Sequence, residues 1–189
     1  MGKTSGGVRD NGGKKVLAPK VELKPNTETF INVLQSGKIK KMSRSAQEKL
    51  MEKVKAENGS IDLAKNFTDK EETALSKYTS SGYLKINSEL RSGKLSAGTK
   101  SVVKTIDSVM EKNVLKHDVI VFRGSDGSYS SDKAYQSTST SAYNAYGFSK
   151  GGNIHAYKIP KGTKCVYIGG GENELILPRG FDLNKHKIK

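Results

Sequence analysis

The chain holds 189 residues, 34% of them hydrophobic, enough for one real core and a small appendage, since domains usually hold roughly 100–150 residues. A formal net charge of +14 suits an acidic surface or a polyanion and bears on association rather than on fold, so nucleic acid has to be weighed as a partner. The single cysteine, Cys165, excludes an internal disulfide and leaves no cysteine-based metal cluster, and no apolar run approaches the ~20 residues of a membrane helix.

Residues 1–20 are rich in Gly, Lys and polar side chains, a composition that buries too little surface to order itself, and they read as a flexible basic tail. No signal-peptide core follows Met1, which points to a cytoplasmic protein or to one delivered into a target cell by a phage or a secretion machine. Residues 21–60 read as a linker or docking segment with a short helix. From Ser43 to Asn58 the apolar residues are sparse, and Leu50 and Val54 mark only a thin stripe. Up to residue 60, 13 Lys or Arg stand against 6 Asp or Glu, half of the excess charge of the chain. Without an array of aromatic side chains to stack bases, a solvated or partner-binding segment is favoured over a nucleic-acid grip.

The compact region is expected from Ile61 to Lys189. Thr68-Asp69-Lys70-Glu71 has capping-box spacing and opens a helix bearing Ala74, Leu75 and Tyr78 on one face. A second helix runs through Tyr83, Ile86 and Leu90. A third, longer one carries Val102, Val103, Ile106, Val109 and Met110 at helical spacing. After Lys116 the pattern turns to short β-branched or alternating runs broken by Gly, Ser and Pro: Val119 to Arg123, Ala134 to Thr138, Asn153 to Ile159, Lys164 to Ile168, Glu174 to Leu177, and a last short run from His186 to Ile188. A helical turn fits Ser141 to Ser149. Helices first and strands later, without βαβ alternation, predict an α+β fold with largely antiparallel sheets.

Three sites in the strand region could carry chemistry. Arg123 closes an apolar strand, where its fork of donors can hold a phosphate or merely snorkel, and Gly124 beside it permits close backbone approach. Ser137-Thr138-Ser139 puts two hydroxyls on one face of a strand and one on the other, which also describes a polar edge strand. Glu172 and Glu174 lie one residue apart. If Glu172 is already on the strand both carboxylates project to one face, as in a charged site or in an exposed acidic pair.

In this order, Phe122-Arg123-Gly124, Tyr135-Gln136-Ser137-Thr138-Ser139 and Glu172-Asn173-Glu174-Leu175-Ile176-Leu177-Pro178-Arg179-Gly180 resemble the motifs of the mono-ADP-ribosyltransferases of the clostridial binary-toxin type. The resemblance covers roughly Ile61 to Lys189. It implies two mainly antiparallel packed sheets around an NAD cleft, with NAD as substrate and no metal. It further implies that Arg123 binds the NAD phosphates, that Ser137 holds Glu174, and that Glu174 is catalytic. Glu172 would orient and deprotonate the acceptor, which is arginine in relatives with glutamate at this position, so the partner would be a target-cell protein bearing an arginine. Gly124, Thr138 and Ser139 would border the NAD, with Phe148 near the nicotinamide and Lys150 in the region where relatives carry a second phosphate-binding arginine. The loop from Gly124 to Lys133 would cover the phosphates, and Gly169-Gly170-Gly171 offers no side chain where relatives present an aromatic to their target. An NAD glycohydrolase on the same fold and a non-catalytic basic binding module are the alternatives.

Overall fold

The computed structural model describes residues 22–58, 61, 63, 66–125, 133–149 and 153–188. Six α-helices and five strands are found there: α1 (Pro25–Gln35), α2 (Arg44–Asn58), α3 (Asp69–Lys77), α4 (Tyr83–Ser92), α5 (Ala97–Lys112), β1 (Val119–Ser125), β2 (Gln136–Ser139), α6 (Ala142–Gly147), β3 (Asn153–Ile159), β4 (Val166–Gly169) and β5 (Glu174–Leu177). A π-helical segment, Tyr78–Gly82, joins α3 to α4, and a 3₁₀ turn, Gly170–Glu172, precedes β5. Among the described residues no helix is long and apolar enough to cross a membrane.

The α+β architecture agrees with the sequence, but the sheet count differs. Instead of two sheets, the described strands form one antiparallel sheet of five in the order β3-β1-β2-β5-β4. Its centre is narrow. Whereas β1 pairs with β3 along seven residues, it meets β2 at one register pair, Phe122 with Ser139. The two halves are thus hinged at the strands that carry Arg123 and the Ser-Thr-Ser run. The run predicted from His186 to Ile188 contributes only a bridge between Lys187 and Tyr157, because a 3₁₀ turn occupies Leu183–His186.

Helix starts follow local chemistry. Thr68 accepts from the Glu71 backbone N–H while Glu71 accepts from that of Thr68, completing the predicted capping box. Lys112 also reaches Glu71 at 2.8 Å, and this hydrogen bond holds the carboxyl down to about 2. Helix α1 was not foreseen. Pro25 sits in its first turn, where a missing N–H costs nothing. Its cap comes from α2: the Glu57 carboxylate accepts from the backbone and side chain of both Asn26 and Thr27, at 2.7–3.0 Å.

Three apolar clusters hold these elements together. Helices α3, α4 and α5 pack on one side of the sheet through Leu75, Tyr78, Leu90, Ile106 and Met110 against Tyr135, Val166 and Ile176. A second cluster joins Ile61, Leu63 and Leu115 to Val119, Val121, Ile159, Leu175 and Leu177. In the third, Phe30, Ile31, Ile39, Met51 and Val54 pack against Phe122, Ala142, Ala145, Ile154 and Ala156. Residues 25–54 therefore share a core with the strand that carries Arg123, and the packing does not stop at residue 60, where the sequence suggests a boundary. Phe30 meets Phe122 edge to face, with ring centroids 5.4 Å apart.

Candidate active site

Beneath the narrow seam between β1 and β2 lies a cleft of about 270 Å³. It is lined by Arg123 and Gly124 from β1, Ser137, Thr138 and Ser139 from β2, Phe148 after α6, and both Glu172 and Glu174. The structure thus brings together every site residue that the sequence singled out except Lys150, which lies outside the described residues, as do residues 126–132 of the expected lid loop. Tyr78, Thr79 and Tyr83 from the far side complete the wall.

Strand register explains the convergence. Ser137 pairs with Ile176 and Ser139 with Glu174, so period-2 alternation turns Ser137, Ser139 and Glu174 to the same face. Thr138 points the other way and is buried, its hydroxyl donating to the Leu175 carbonyl at 2.8 Å, a structural bond that ties β2 to β5. Arg123 donates from Nη1 to the Ser137 carbonyl at 3.1 Å, which fixes its guanidinium across the seam. Burial works against the charge of Arg123, only partly offset by the Tyr157 and Tyr78 hydroxyls. A cation held in such a place is strongly rewarded by an anionic ligand.

Glu174 opens β5 with its carboxyl partly buried. Burial pushes its pKa above the usual carboxylate range, and the nearby Glu172 charge adds to the rise, while a hydrogen bond from the Ser137 hydroxyl opposes both. Tyr78, 1% exposed, lies beside the Ser137 hydroxyl and accepts a hydrogen bond from the Asn87 amide at 3.1 Å. Asn87, Tyr78, Ser137 and Glu174 thus line up from the helical layer to the cleft. Burial raises the Tyr78 phenol further, so it stays protonated and available as a donor.

Tyr78 and Asn87 were missed in the sequence, where Tyr78 reads as a core residue on the face of a helix. The available signal was the Thr79-Ser80-Ser81-Gly82 run, which breaks that helix. Ser80 adopts non-helical φ/ψ of −81° and −143° there, and the kink turns Tyr78 and Tyr83 toward the cleft.

Glu172 departs from the expectation in one respect. It lies on the 3₁₀ turn and not on β5, with Asn173 between the two glutamates in the left-handed region at φ 49°. The two carboxylates share the cleft through this turn rather than through strand alternation, and Glu172 is exposed while Glu174 is not.

Gly124 serves its own scaffold. A Cβ placed there would stand 2.1 Å from the Ala145 carbonyl oxygen and 2.8 Å from the Ser149 nitrogen, so the missing side chain lets α6 lie directly on β1. Phe148, 59% exposed at the end of α6, stands free at the cleft mouth. Cys165 and His155 take no part. Burial pushes the Cys165 thiol up to about 12, and His155 lies against Tyr157 on β3. Among the described residues no group of His, Cys, Asp and Glu is arranged to hold a metal ion.

Comparison with known proteins finds likenesses for this geometry. A model described as ADP-ribosyltransferase exoenzyme matches residues 40–132. The NAD(+)–arginine ADP-ribosyltransferase EFV of Enterococcus faecalis is 32% identical over 130 residues, 57% of this chain and 27% of that protein, so the chain spans little more than a quarter of that relative's length. Exoenzyme S of Pseudomonas aeruginosa, solved with human 14-3-3 protein beta and carba-NAD, aligns with a TM-score of 0.53 at 25% identity over 60% of this chain and 63% of its own. The C3 exoenzyme of Clostridium limosum gives 0.53 at 24% identity over 61% and 75%, a likeness of fold. With its three motifs gathered in one cleft and these likenesses beside it, the chain is similar to the mono-ADP-ribosyltransferases.

Proposed function

We propose that this protein transfers ADP-ribose from NAD to an arginine of a target-cell protein and releases nicotinamide. The observation that carries the reading is the cleft itself, where a partly buried carboxylate, Glu174, stands beside a serine hydroxyl between a partly buried arginine and a second, exposed carboxylate. Cleaving the bond between ribose C1′ and nicotinamide leaves the electron pair on nicotinamide and positive charge on the sugar. A fixed carboxylate stabilises that charge most where water is scarce, and Glu174 meets both conditions. Arg123 is placed to hold the pyrophosphate by a forked contact.

The acceptor step falls to Glu172. A guanidinium is protonated at neutral pH and becomes a nucleophile only when a base takes a proton from it. Glu172, exposed at the mouth, takes that proton as the arginine nitrogen forms its bond to C1′. The arginine-directed name of the Enterococcus faecalis relative supports this choice of acceptor. NAD as donor is supported by the carba-NAD held by exoenzyme S.

The test is incubation with labelled NAD and a host-cell lysate, following labelled protein and free nicotinamide together. The wild type is expected to label protein, Glu172→Gln to release nicotinamide without labelling, and Glu174→Gln to do neither. Nicotinamide release without label in the wild type would mark a glycohydrolase instead. Silence in both channels would return the basic binding module to first place.

A further inference from the structure

The turn that carries Glu172 is a problem for catalysis, because it follows three glycines. Gly169 and Gly170 have φ of 66° and 62°, conformations that need glycine, and glycine is the residue that loses most freedom when ordered. Left to itself such a segment would not hold a carboxylate in one place. Yet three successive carbonyls of this turn are occupied. That of Gly171 accepts from the Asn144 side-chain amide at 2.7 Å, that of Glu172 from the Ser139 hydroxyl at 2.7 Å, and that of Asn173 from the Thr140 backbone N–H at 3.0 Å. Every donor comes from the short stretch 139–144 that leaves β2 and enters α6.

That stretch is itself firmly seated. Ser139 accepts from the Ser141 N–H at 3.0 Å, and Ser141 caps α6 by accepting from the Asn144 N–H. Ala142 and Ala145 are 0% and 2% exposed in the core shared with α1 and α2, and α6 rests on the bare backbone of Gly124. Asn144 is thus the side chain through which α6 grips the glycine part of the loop, which has no side chains of its own, while the Tyr167 hydroxyl donates to the Asn173 side chain at 3.3 Å further along.

We infer that Asn144 is a positioning residue for the acceptor half of the reaction: by holding the Gly171 carbonyl it fixes Glu172, and so sets how much ADP-ribose goes to protein rather than to water. This rests on the transferase reading above. Glu174 does not depend on Asn144 to the same degree, since β5 is paired to β2 and the Glu174 carboxyl has Ser137. Loosening the Gly171 anchor therefore displaces one carboxylate and spares the other. A displacement near 1 Å at a reacting group can cost up to about a hundredfold in rate.

The experiment compares wild type with Asn144→Ala and with Asn144→Asp, which keeps the shape but replaces the donor by an acceptor. Protein labelling and nicotinamide release are measured on the same samples, with hydrogen exchange at residues 170–173 and a urea midpoint for each variant. Both variants are expected to lose labelling by about tenfold or more, to keep nicotinamide release within about twofold, and to exchange faster at 170–173. Equal loss of both activities, or an unchanged ratio of label to nicotinamide with unchanged exchange, would overturn the assignment. If the wild type releases nicotinamide and labels nothing, it is the transferase reading that fails, and the role given to Asn144 fails with it.

Discussion

Replacing Gly124 by alanine tests whether α6 is seated on β1 as closely as the geometry requires. The new methyl would lie 2.1 Å from the Ala145 oxygen, 2.8 Å from the Ser149 nitrogen and 3.1 Å from the Phe148 carbonyl carbon. All three are backbone atoms, so no rotamer can relieve the contact. To reach the ordinary 3.4 Å, the end of α6 must retreat by about 1.3 Å. Overpacking usually costs ~1–3 kcal/mol, and a clash against backbone on three sides belongs at the upper end. For a domain of this size ~2–3 kcal/mol lowers Tm by roughly 4–12 °C. Phe148 travels with the helix, so nicotinamide release should fall as well, and with Asn144 displaced protein labelling should fall further. Gly147→Ala is the control: its Cβ meets nothing within 4 Å, and the change should be neutral or slightly stabilising. Thermal unfolding followed by circular dichroism gives the answer. A Gly124→Ala protein that melts within a degree of wild type, with unchanged activity, would refute the seating argument.

Four further outcomes are expected. Nicotinamide release should rise with pH through a limb above the usual carboxylate range, because burial first and Glu172 second raise the Glu174 pKa; Glu172→Gln should move that limb to lower pH, and a limb unmoved by it would deny the coupling. The same shift acts on stability: a carboxyl whose folded pKa is raised binds its proton more tightly in the folded state, so stability falls as pH climbs from the unfolded carboxylate range through the folded value. Glu174→Gln should be the more stable protein at neutral pH by urea midpoint, and one less stable would contradict this. Tyr78→Phe removes the hydroxyl beside Ser137 and leaves the Asn87 amide without its acceptor, at ~1–3 kcal/mol in urea unfolding and with a loss in kcat larger than the change in KM; unchanged kcat would remove Tyr78 from the support of the site. Glu57→Ala uncaps α1 by removing four hydrogen bonds, for about 1–2 kcal/mol and faster hydrogen exchange throughout Pro25–Gln35, whereas unaltered exchange would mean that α1 stands without α2.

What was legible in the chain divides along a physical line. The strands from Val119 and Asn153, the capping box at Thr68 and the helix through Val103 and Ile106 are written in local patterns of period and cap, and they stand where those patterns put them. The site motifs were legible through their resemblance, in order, to those of a known family, and each lies on a strand of the sheet except Glu172, which stands on the turn before β5. Helix α1 escaped because its capping acceptor and its packing partners are distant in sequence: Glu57 lies 30 residues away and Phe122 92 residues on. Tyr78 escaped for the opposite reason, since its local pattern is that of a core residue and only the kink at Ser80 redirects it.

The same line separates the two glutamates. Glu174 inherits its place from the pairing of β5 with β2, and a chain that folds this sheet places that carboxylate without further help. Glu172 sits on a turn whose glycines specify no position of their own, so its place comes from donors contributed by β2 and α6. On the proposed reaction, donor cleavage would therefore depend on register, and transfer to the acceptor on hydrogen bonds to backbone carbonyls. Mutations outside the motifs should for that reason change how much protein is labelled more readily than how much nicotinamide is released.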